Sequence, residues 1–244
     1  MSPPGYRGTV VAMDGYGGDQ IRAAERPHLD AGEPLMQRAA DGLARIVGDL
    51  LDDPAVRPGD GPGSVLLLVG SGDNGGDALF AGARLAAAGR HVAVLRVGSR
   101  VHEAGLAAAL DAGARLLDDP AGPEAAVTDA ALDADLVLDA ILGIGVRGPA
   151  ALRSPAREVV DAIRELARDQ RAPFVVAVDV PSGIDVDTGG IADDHVLHAD
   201  VTVTFGGVKA GLLTGPAATL AGRIELVDVG IGADLATMEP LVRT

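Results

Sequence analysis

The chain has 244 residues, no cysteine and a formal net charge of −15, with 35 acidic side chains against 20 Lys and Arg. That length is enough to bury one sizeable α/β core, and the missing cysteines exclude disulfides, thiolate metal sites and a thiolate nucleophile. The acidity argues against a nucleic-acid partner, whose backbone needs a basic face. Met1–Gly8 lacks the basic and apolar regions of a signal peptide. No apolar run approaches the roughly 18–20 residues of a membrane span. The expectation is a soluble, cytoplasmic protein with no membrane and no nucleic acid among its partners.

In chain order, residues 1–18 are rich in Gly and Pro and read as an irregular segment ahead of a single domain. Asp19–Leu50 carries apolar residues at helical spacing, with Pro27 and Gly32 expected to break it and a second helix starting near Glu33–Pro34. Asp52–Gly63 clusters Pro, Gly and Asp and reads as a loop. A βα alternation follows. Strands are expected at Val65–Val69, His91–Val97, Ala114–Leu117, Asp135–Leu142, Phe174–Val178, Asp200–Phe205 and Arg223–Val229. Helices are expected at Asp77–Ala88, Val101–Ala112, Glu124–Leu132 and Pro155–Arg168. Nearly continuous apolar strands separated by helices imply a mostly parallel sheet covered on both faces.

Polar or glycine-rich groups then fall just past four apolar strands: Gly70–Asp77, Asp139–Pro149, Asp179–Asp185 and Gly206–Gly211. Right-handed crossovers place all four along one edge of the sheet. Gly70-x-Gly72-x-x-Gly75 matches the dinucleotide fingerprint literally. The acid expected near the end of the next strand is missing, and Arg96 stands there, suited to a 2′-phosphate. Asp73, Asn74 and Asp77 crowd the loop with oxygens that a pyrophosphate loop would avoid; a turn shaped only for tight packing is the other reading.

Asp139 interrupts the apolar run of its strand. A carboxylate there is costly unless paired, so it either caps the next loop or binds a cation. Asn74, Asp139 and Ser182 together offer hard oxygens and no nitrogen or sulfur, which suits a weakly charged cation better than Zn²⁺. Asp179, at the start of Asp179-Val180-Pro181-Ser182-Gly183, would project from a rigid strand end as a general acid/base or simply form the turn. No histidine lies near Ser182, which argues against a triad nucleophile. His195 and His198 lack partners for a metal site. Gly143-Ile144-Gly145-Val146-Arg147-Gly148-Pro149 is a second glycine loop, fit to wrap phosphate or to be plain surface. Lys209, the only lysine, either meets substrate phosphate or the acidic rim, or is a surface lysine.

The blocks Tyr16–Ala40, Gly70–Asp77, Asp139–Gly148, Asp179–Gly189 and Val201–Gly211 resemble, in order and spacing, the NAD(P)H-hydrate epimerases; the likeness runs from about residue 14 to 232. The pairing of Asp-Asn-Gly-Gly-Asp with Asp-Val-Pro-Ser-Gly-Ile-Asp carries it. The resemblance implies a Rossmann-like three-layer α-β-α sandwich, usually a homodimer. The implied activity is interconversion of the R and S epimers of NADHX and NADPHX, the coenzymes hydrated at C6, so that an ADP- or ATP-dependent dehydratase can restore them. By matching position it implies K⁺ bound by Asn74, Asp139 and Ser182, one ion per subunit. It likewise implies substrate contacts from Asp73, Asn74, Gly75, Gly76, Asp77, Gly143, Ile144, Gly145, Val146, Arg147, Gly148 and Pro149, with Asp179 as the catalytic, substrate-contacting acid. Asp73, Ala78 and Ile144 replace the family's usual Asn, Gly and Thr. Many members continue into a dehydratase domain; this chain ends soon after Val229-Gly230-Ile231, either as a stand-alone epimerase or as the front half of a longer protein. Two rival readings are an NADP-dependent oxidoreductase on the same scaffold and a non-catalytic nucleotide- or protein-binding module.

Overall fold

The apolar run of the first predicted strand alternates in burial. Val65, Leu67 and Val69 enter one apolar cluster, while Leu66 and Leu68 enter another on the opposite face. That period of two is what a strand buried on both sides requires. The computed structural model describes residues 13–117, 122–145 and 148–244. Among these, the chain begins with β1 (Asp14–Tyr16), α1 (Gly18–Asp30), α2 (Leu35–Asp52), β2 (Ser64–Val69), α3 (Asp73–Ala87) and β3 (His91–Arg96). It continues with α4 (Glu103–Asp111), β4 (Arg115–Leu117), α5 (Pro123–Leu132), β5 (Leu136–Ala140), α6 (Ala156–Arg168), β6 (Phe174–Val178) and β7 (Val201–Phe205). The last elements are β8 (Val208–Lys209), β9 (Arg223–Val227), α7 (Gly232–Leu235) and β10 (Val242–Arg243).

Seven strands form one sheet in the order β4-β3-β2-β5-β6-β7-β9, and all its pairings are parallel. The larger cluster packs Leu43 and Val47 of α2, Leu79 of α3 and Leu106 of α4 on one face. Val127 of α5 and Val159 and Ile163 of α6 cover the other. The predicted Rossmann-like three-layer α-β-α sandwich is therefore the observed one. The strand order reverses between β2 and β5. In an open α/β sheet that reversal leaves a crevice outside the carboxyl ends of the strands, where ligands bind.

Four details depart from the sequence reading. The segment expected to be irregular forms β1 at Asp14–Tyr16 and starts α1 at Gly18; residues 1–12 lie outside the described residues. β1 pairs with β8 and β10 in a small second sheet that the sequence did not announce. Pro27 does not break α1, which runs on to Asp30 before Gly32 turns the chain at φ +74°. The proline's missing N–H leaves the Ala23 carbonyl without its helical donor, and Ala23 lies on the exposed face of α1. Finally, α3 starts at Asp73, not Asp77, so Asn74, Gly75 and Gly76 lie in its first turn, Asp77 opens the second, and none of them is in a loop.

Candidate active site

Gly70 ends β2 where the chain crosses the end of β5. A Cβ on Gly70 would sit 1.9 Å from the Ile141 carbonyl oxygen, so only glycine fits. One on Gly75 would sit 2.6 Å from the Gly70 oxygen, which sets α3 hard against β2. Gly72, the middle glycine of the fingerprint, has nothing within 4 Å of its Cβ position.

Close approach brings Asn74 to the end of β5. Its Nδ2 donates to the Leu142 carbonyl at 3.1 Å, and a Cβ on Gly143 would lie 3.1 Å from the Asn74 Cβ. Asn74 is 7% exposed, and its Oδ1 is buried with no hydrogen-bond partner. Asp139, fully buried, is paired in register with Leu68 of β2 and Ala177 of β6. Burial pushes its carboxyl up, against hydrogen bonds from Ser182 and Ile141 that pull it down. The Ser182 hydroxyl donates to Asp139 Oδ1 at 2.5 Å and the Ser182 N–H to Oδ2 at 2.9 Å. The Leu142 N–H in turn donates to Ser182 Oγ at 2.9 Å. Asn74 and Ser182 thus meet at Leu142, and Ser182 meets Asp139. An orphaned amide oxygen beside a carboxylate and a hydroxyl is a hard-oxygen donor set, and it fits a monovalent cation. Among the described residues no cluster of three or more His, Cys, Asp or Glu is arranged to hold a metal.

Asp179 follows β6 in a left-handed conformation, φ +68°. A non-glycine residue there is unusual; its N–H is held by the Val203 carbonyl at 2.7 Å. Asp179 is 6% exposed. Its Oδ1 accepts from Lys209 Nζ, from the Phe205 N–H at 3.2 Å and from the Thr204 hydroxyl at 3.3 Å. Lys209 is 1% exposed and also donates to the Phe205 carbonyl at 2.8 Å. The surface-lysine reading of Lys209 is therefore wrong; of the sequence alternatives, contact with the acidic rim is the one observed. Gly206, at φ +71°, turns the chain back so that β8 can deliver it.

Two further acids share this space. Burial first, then the charges of Asp179 and Asp73, push the Asp77 carboxyl well above its usual range, while Lys209 opposes them. Glu25 of α1 is raised chiefly by burial, with Lys209 lowering and Asp179 raising it. Sequence reading assigned no role to Glu25 or to Arg22. Arg22 Nη1 donates to the Ile144 carbonyl at 2.6 Å and so ties α1 to the second glycine loop. Their signal was polar side chains flanking the fully buried Ile21 and Ala24 of a helix. In that second loop Gly143, Ile144, Gly145, Gly148 and Pro149 are described; Val146 and Arg147 lie outside the described residues. His195 is satisfied by Asp161 at 2.5 Å, away from this set.

Residues 32–211 match the family model described as YjeF-related protein N-terminus. The chain is 49% identical over 234 residues to an NAD(P)H-hydrate epimerase of Clavibacter michiganensis, covering 96% of this chain and 97% of that protein. It is 43% identical over 233 residues to a bifunctional NAD(P)H-hydrate repair enzyme Nnr of Mycobacterium tuberculosis, covering 93% of this chain and 43% of that longer protein. The crystal structure of yeast ynu0 superposes with a TM-score of 0.67 at 20% identity, over 82% of this chain and 83% of the other, and shows the same fold. A family model matched over most of the chain and near-half identity across almost its full length place this chain in the NAD(P)H-hydrate epimerase family, the YjeF-related N-terminal domains.

Proposed function

We propose that the chain is an NAD(P)H-hydrate epimerase, an isomerase that interconverts the R and S epimers of NADHX and NADPHX in coenzyme repair. The observation that carries this reading is Asp179. It is a carboxyl fixed in a left-handed turn at the rim of the crevice, in a chain that is 49% identical to a named epimerase.

C6 of the hydrated ring bears a hydroxyl on carbon next to the ring nitrogen. Loss of that hydroxyl as water leaves a planar, cationic centre, and water returning from the other face gives the other epimer; ring opening and reclosure is the second route. Either route needs proton exchange at the hydroxyl oxygen, and Asp179 is the group this reading gives that role. Asn74, Asp139 and Ser182 are the residues to hold one K⁺ per subunit. When bound it would supply charge balance for the buried Asp139 and fix the ends of β2, β5 and β6. The start of α3 (Asp73 to Asp77) and the described residues of the second glycine loop, Gly143, Ile144, Gly145, Gly148 and Pro149, follow β2 and β5 at their reversal; with Val146 and Arg147 they are the substrate-binding residues of this reading.

The rival oxidoreductase reading is disfavoured by the oxygen-rich start of α3. Repair of hydrated coenzyme calls for an ADP- or ATP-dependent dehydratase as functional partner, and the bifunctional name of the Mycobacterium tuberculosis relative fits a fused arrangement in that protein. A homodimer is part of the same proposal. No helix among the described residues is long and apolar enough to cross a membrane.

The test is to incubate the protein with one purified epimer of NADPHX and follow the other by chromatography. Wild type should equilibrate them faster than the uncatalysed rate, and Asp179→Asn should not. No acceleration by the wild type would overturn the proposal.

A further inference from the structure

The second glycine loop is tied down by a residue far from it in sequence. Ile144 stands between two glycines, and its side chain packs against two of the apolar clusters. Gly145 is exposed, and its Cβ position has nothing within 4 Å. Sterics therefore leave the peptide plane between the two residues free to turn. A hydrogen bond opposes that rotation: Arg22 Nη1 donates to the Ile144 carbonyl at 2.6 Å. The peptide bond between Ile144 and Gly145 is trans. In a trans peptide the C=O and the N–H point in opposite directions. With the carbonyl held toward α1, the Gly145 N–H is turned away from α1.

Arg22 is itself fixed. Its Nη2 donates to Asp19 Oδ1 at 2.7 Å, one turn back on the same helix. The guanidinium folds over Gly18, whose Cβ position lies 3.5 and 3.6 Å from the two Nη atoms. The start of α1 is pinned twice more. The Gly18 N–H donates at 2.7 Å to Oδ1 of Asp187, in the segment that follows Asp179–Asp185. Just ahead of the helix, β1 pairs with β8, with Tyr16 opposite Lys209. Lys209 is the partner of Asp179. α1 is thus fastened to the strand that carries Lys209 and to the segment after β6, and Arg22 adds the loop after β5. The result is a backbone N–H set in a fixed place relative to Asp179. Backbone N–H groups in turns are anion donors, and the anionic group common to NADHX and NADPHX is the diphosphate.

We infer that Arg22 is a positioning residue for the substrate's diphosphate: by holding the Ile144 carbonyl it presents the Gly145 N–H to a diphosphate oxygen. The inference rests on the epimerase reading above. On it Arg22 takes no part at C6. The diphosphate is unchanged by the reaction, so the bond that Arg22 sets up is as strong in the ground state as in the transition state. Loss of such a bond raises KM and leaves kcat.

The experiment compares wild type, Arg22→Met and Arg22→Lys in the full chain, with a purified NADPHX epimer as substrate and thermal melting as the control for folding. The Arg22 side chain is 37% exposed, and methionine keeps much of its stem and its helix propensity, so the melting temperature should hold. For Arg22→Met the expected KM is higher by about 10-fold, as for loss of one hydrogen bond to a charged group, with kcat within a few-fold of wild type. Arg22→Lys, whose ammonium can serve the same carbonyl, should recover part of the loss. Salt separates positioning from direct pairing with the phosphates. The ratio of the Arg22→Met KM to the wild-type KM should be the same at about 50 mM and about 500 mM KCl, because a peptide N–H carries no net charge to screen. A ratio that falls toward one at high salt means that the guanidinium pairs with the phosphates itself, and it overturns the positioning role. A wild-type KM in Arg22→Met, a loss confined to kcat, or an Arg22→Lys no better than Arg22→Met overturns the inference while leaving the epimerase reading intact. A wild-type protein that does not interconvert the epimers overturns both.

Discussion

Lys209→Met tests the structural half of the site. The lysine is 1% exposed, and its ammonium serves two acceptors, Asp179 Oδ1 and the Phe205 carbonyl at 2.8 Å. Methionine refills most of the space taken by the alkyl stem, so the cavity left behind is small. What is lost is the charge. Asp179 keeps only the Phe205 N–H and the Thr204 hydroxyl, and stays buried. Breaking a buried ion pair from one side costs about 3–5 kcal/mol. For a chain of this size each kcal/mol moves the melting temperature by about 2–4 °C, so the expected fall is about 6–20 °C. Asp179→Asn/Lys209→Met should recover part of the loss, because the double variant no longer buries a lone carboxylate. Circular-dichroism melts and urea unfolding of the four proteins measure both quantities. If Lys209→Met melts within about 2 °C of wild type, or if the double variant is no more stable than Lys209→Met, the pair is not the strut described here.

The remaining predictions concern the rim and the helix ends. Gly70→Ala forces a Cβ onto the Ile141 carbonyl oxygen and should cost about 3 kcal/mol or more, whereas Gly72→Ala, with open space at its Cβ, should cost under about 1 kcal/mol; equal urea midpoints for the two would refute the packing role. Exchanging K⁺ for tetramethylammonium at matched ionic strength should lower the melting temperature of the wild type, by about 2.7 kcal/mol of linkage if the ion was present at 100 times its Kd. Asn74→Ala should be insensitive to that exchange, and identical wild-type melts in both salts would sink the cation site. The Asp234 and then the Glu33 hydrogen bonds raise His28 above its usual 6.5. A raised folded-state value means that this tether between α1 and α7 is complete below about pH 6.5 and is lost as pH climbs through the raised value. The melting temperature of wild type should therefore fall relative to His28→Gln above that pH, and parallel curves would contradict it. Asp73→Asn removes one of the charges acting on Asp77 and should bring that carboxyl back toward its usual range in a carboxyl-carbon NMR titration; an unmoved titration would show that Asp73 is not felt there.

The parts of the fold that were legible are those with redundant signals. β2, β5, β6 and β7 are apolar runs bounded by glycine or aspartate, and a parallel sheet buried on both faces accepts little else. Their order in the chain then forces the polar groups after them onto one rim, which is why Asn74, Asp139, Ser182 and Asp179 could be grouped before any coordinates. The small sheet was not legible, because β1, β8 and β10 have only two or three residues each and pair across nearly the whole chain. Nothing periodic survives in so short a strand. Lys209 was misjudged as possible surface for a related reason. Its partner Asp179 is 30 positions away, and a lone lysine after two glycines carries no local mark of burial.

The start of α3 shows what such misreadings cost. Read as a loop, Gly70–Asp77 could aim each side chain independently, and its glycines looked like a phosphate cradle. As a helix from Asp73, the geometry is constrained. Side chains three and four apart share a face, so Asn74 and Asp77 are neighbours, and so are Asp73 and Asp77. Gly75 lies against the Gly70 oxygen and Gly76 against His102 and Met36, so these two glycines serve the packing of α3. That packing presses Asn74 to the end of β5, where its amide reaches Leu142 and its orphaned oxygen comes to lie. Asp73, an acid where the family usually has asparagine, is well tolerated at a helix N-terminus by the helix dipole. From there its charge acts on Asp77 one turn later. The departure from the family motif therefore bears first on the protonation of a carboxyl in the crevice, and only through it on the coenzyme.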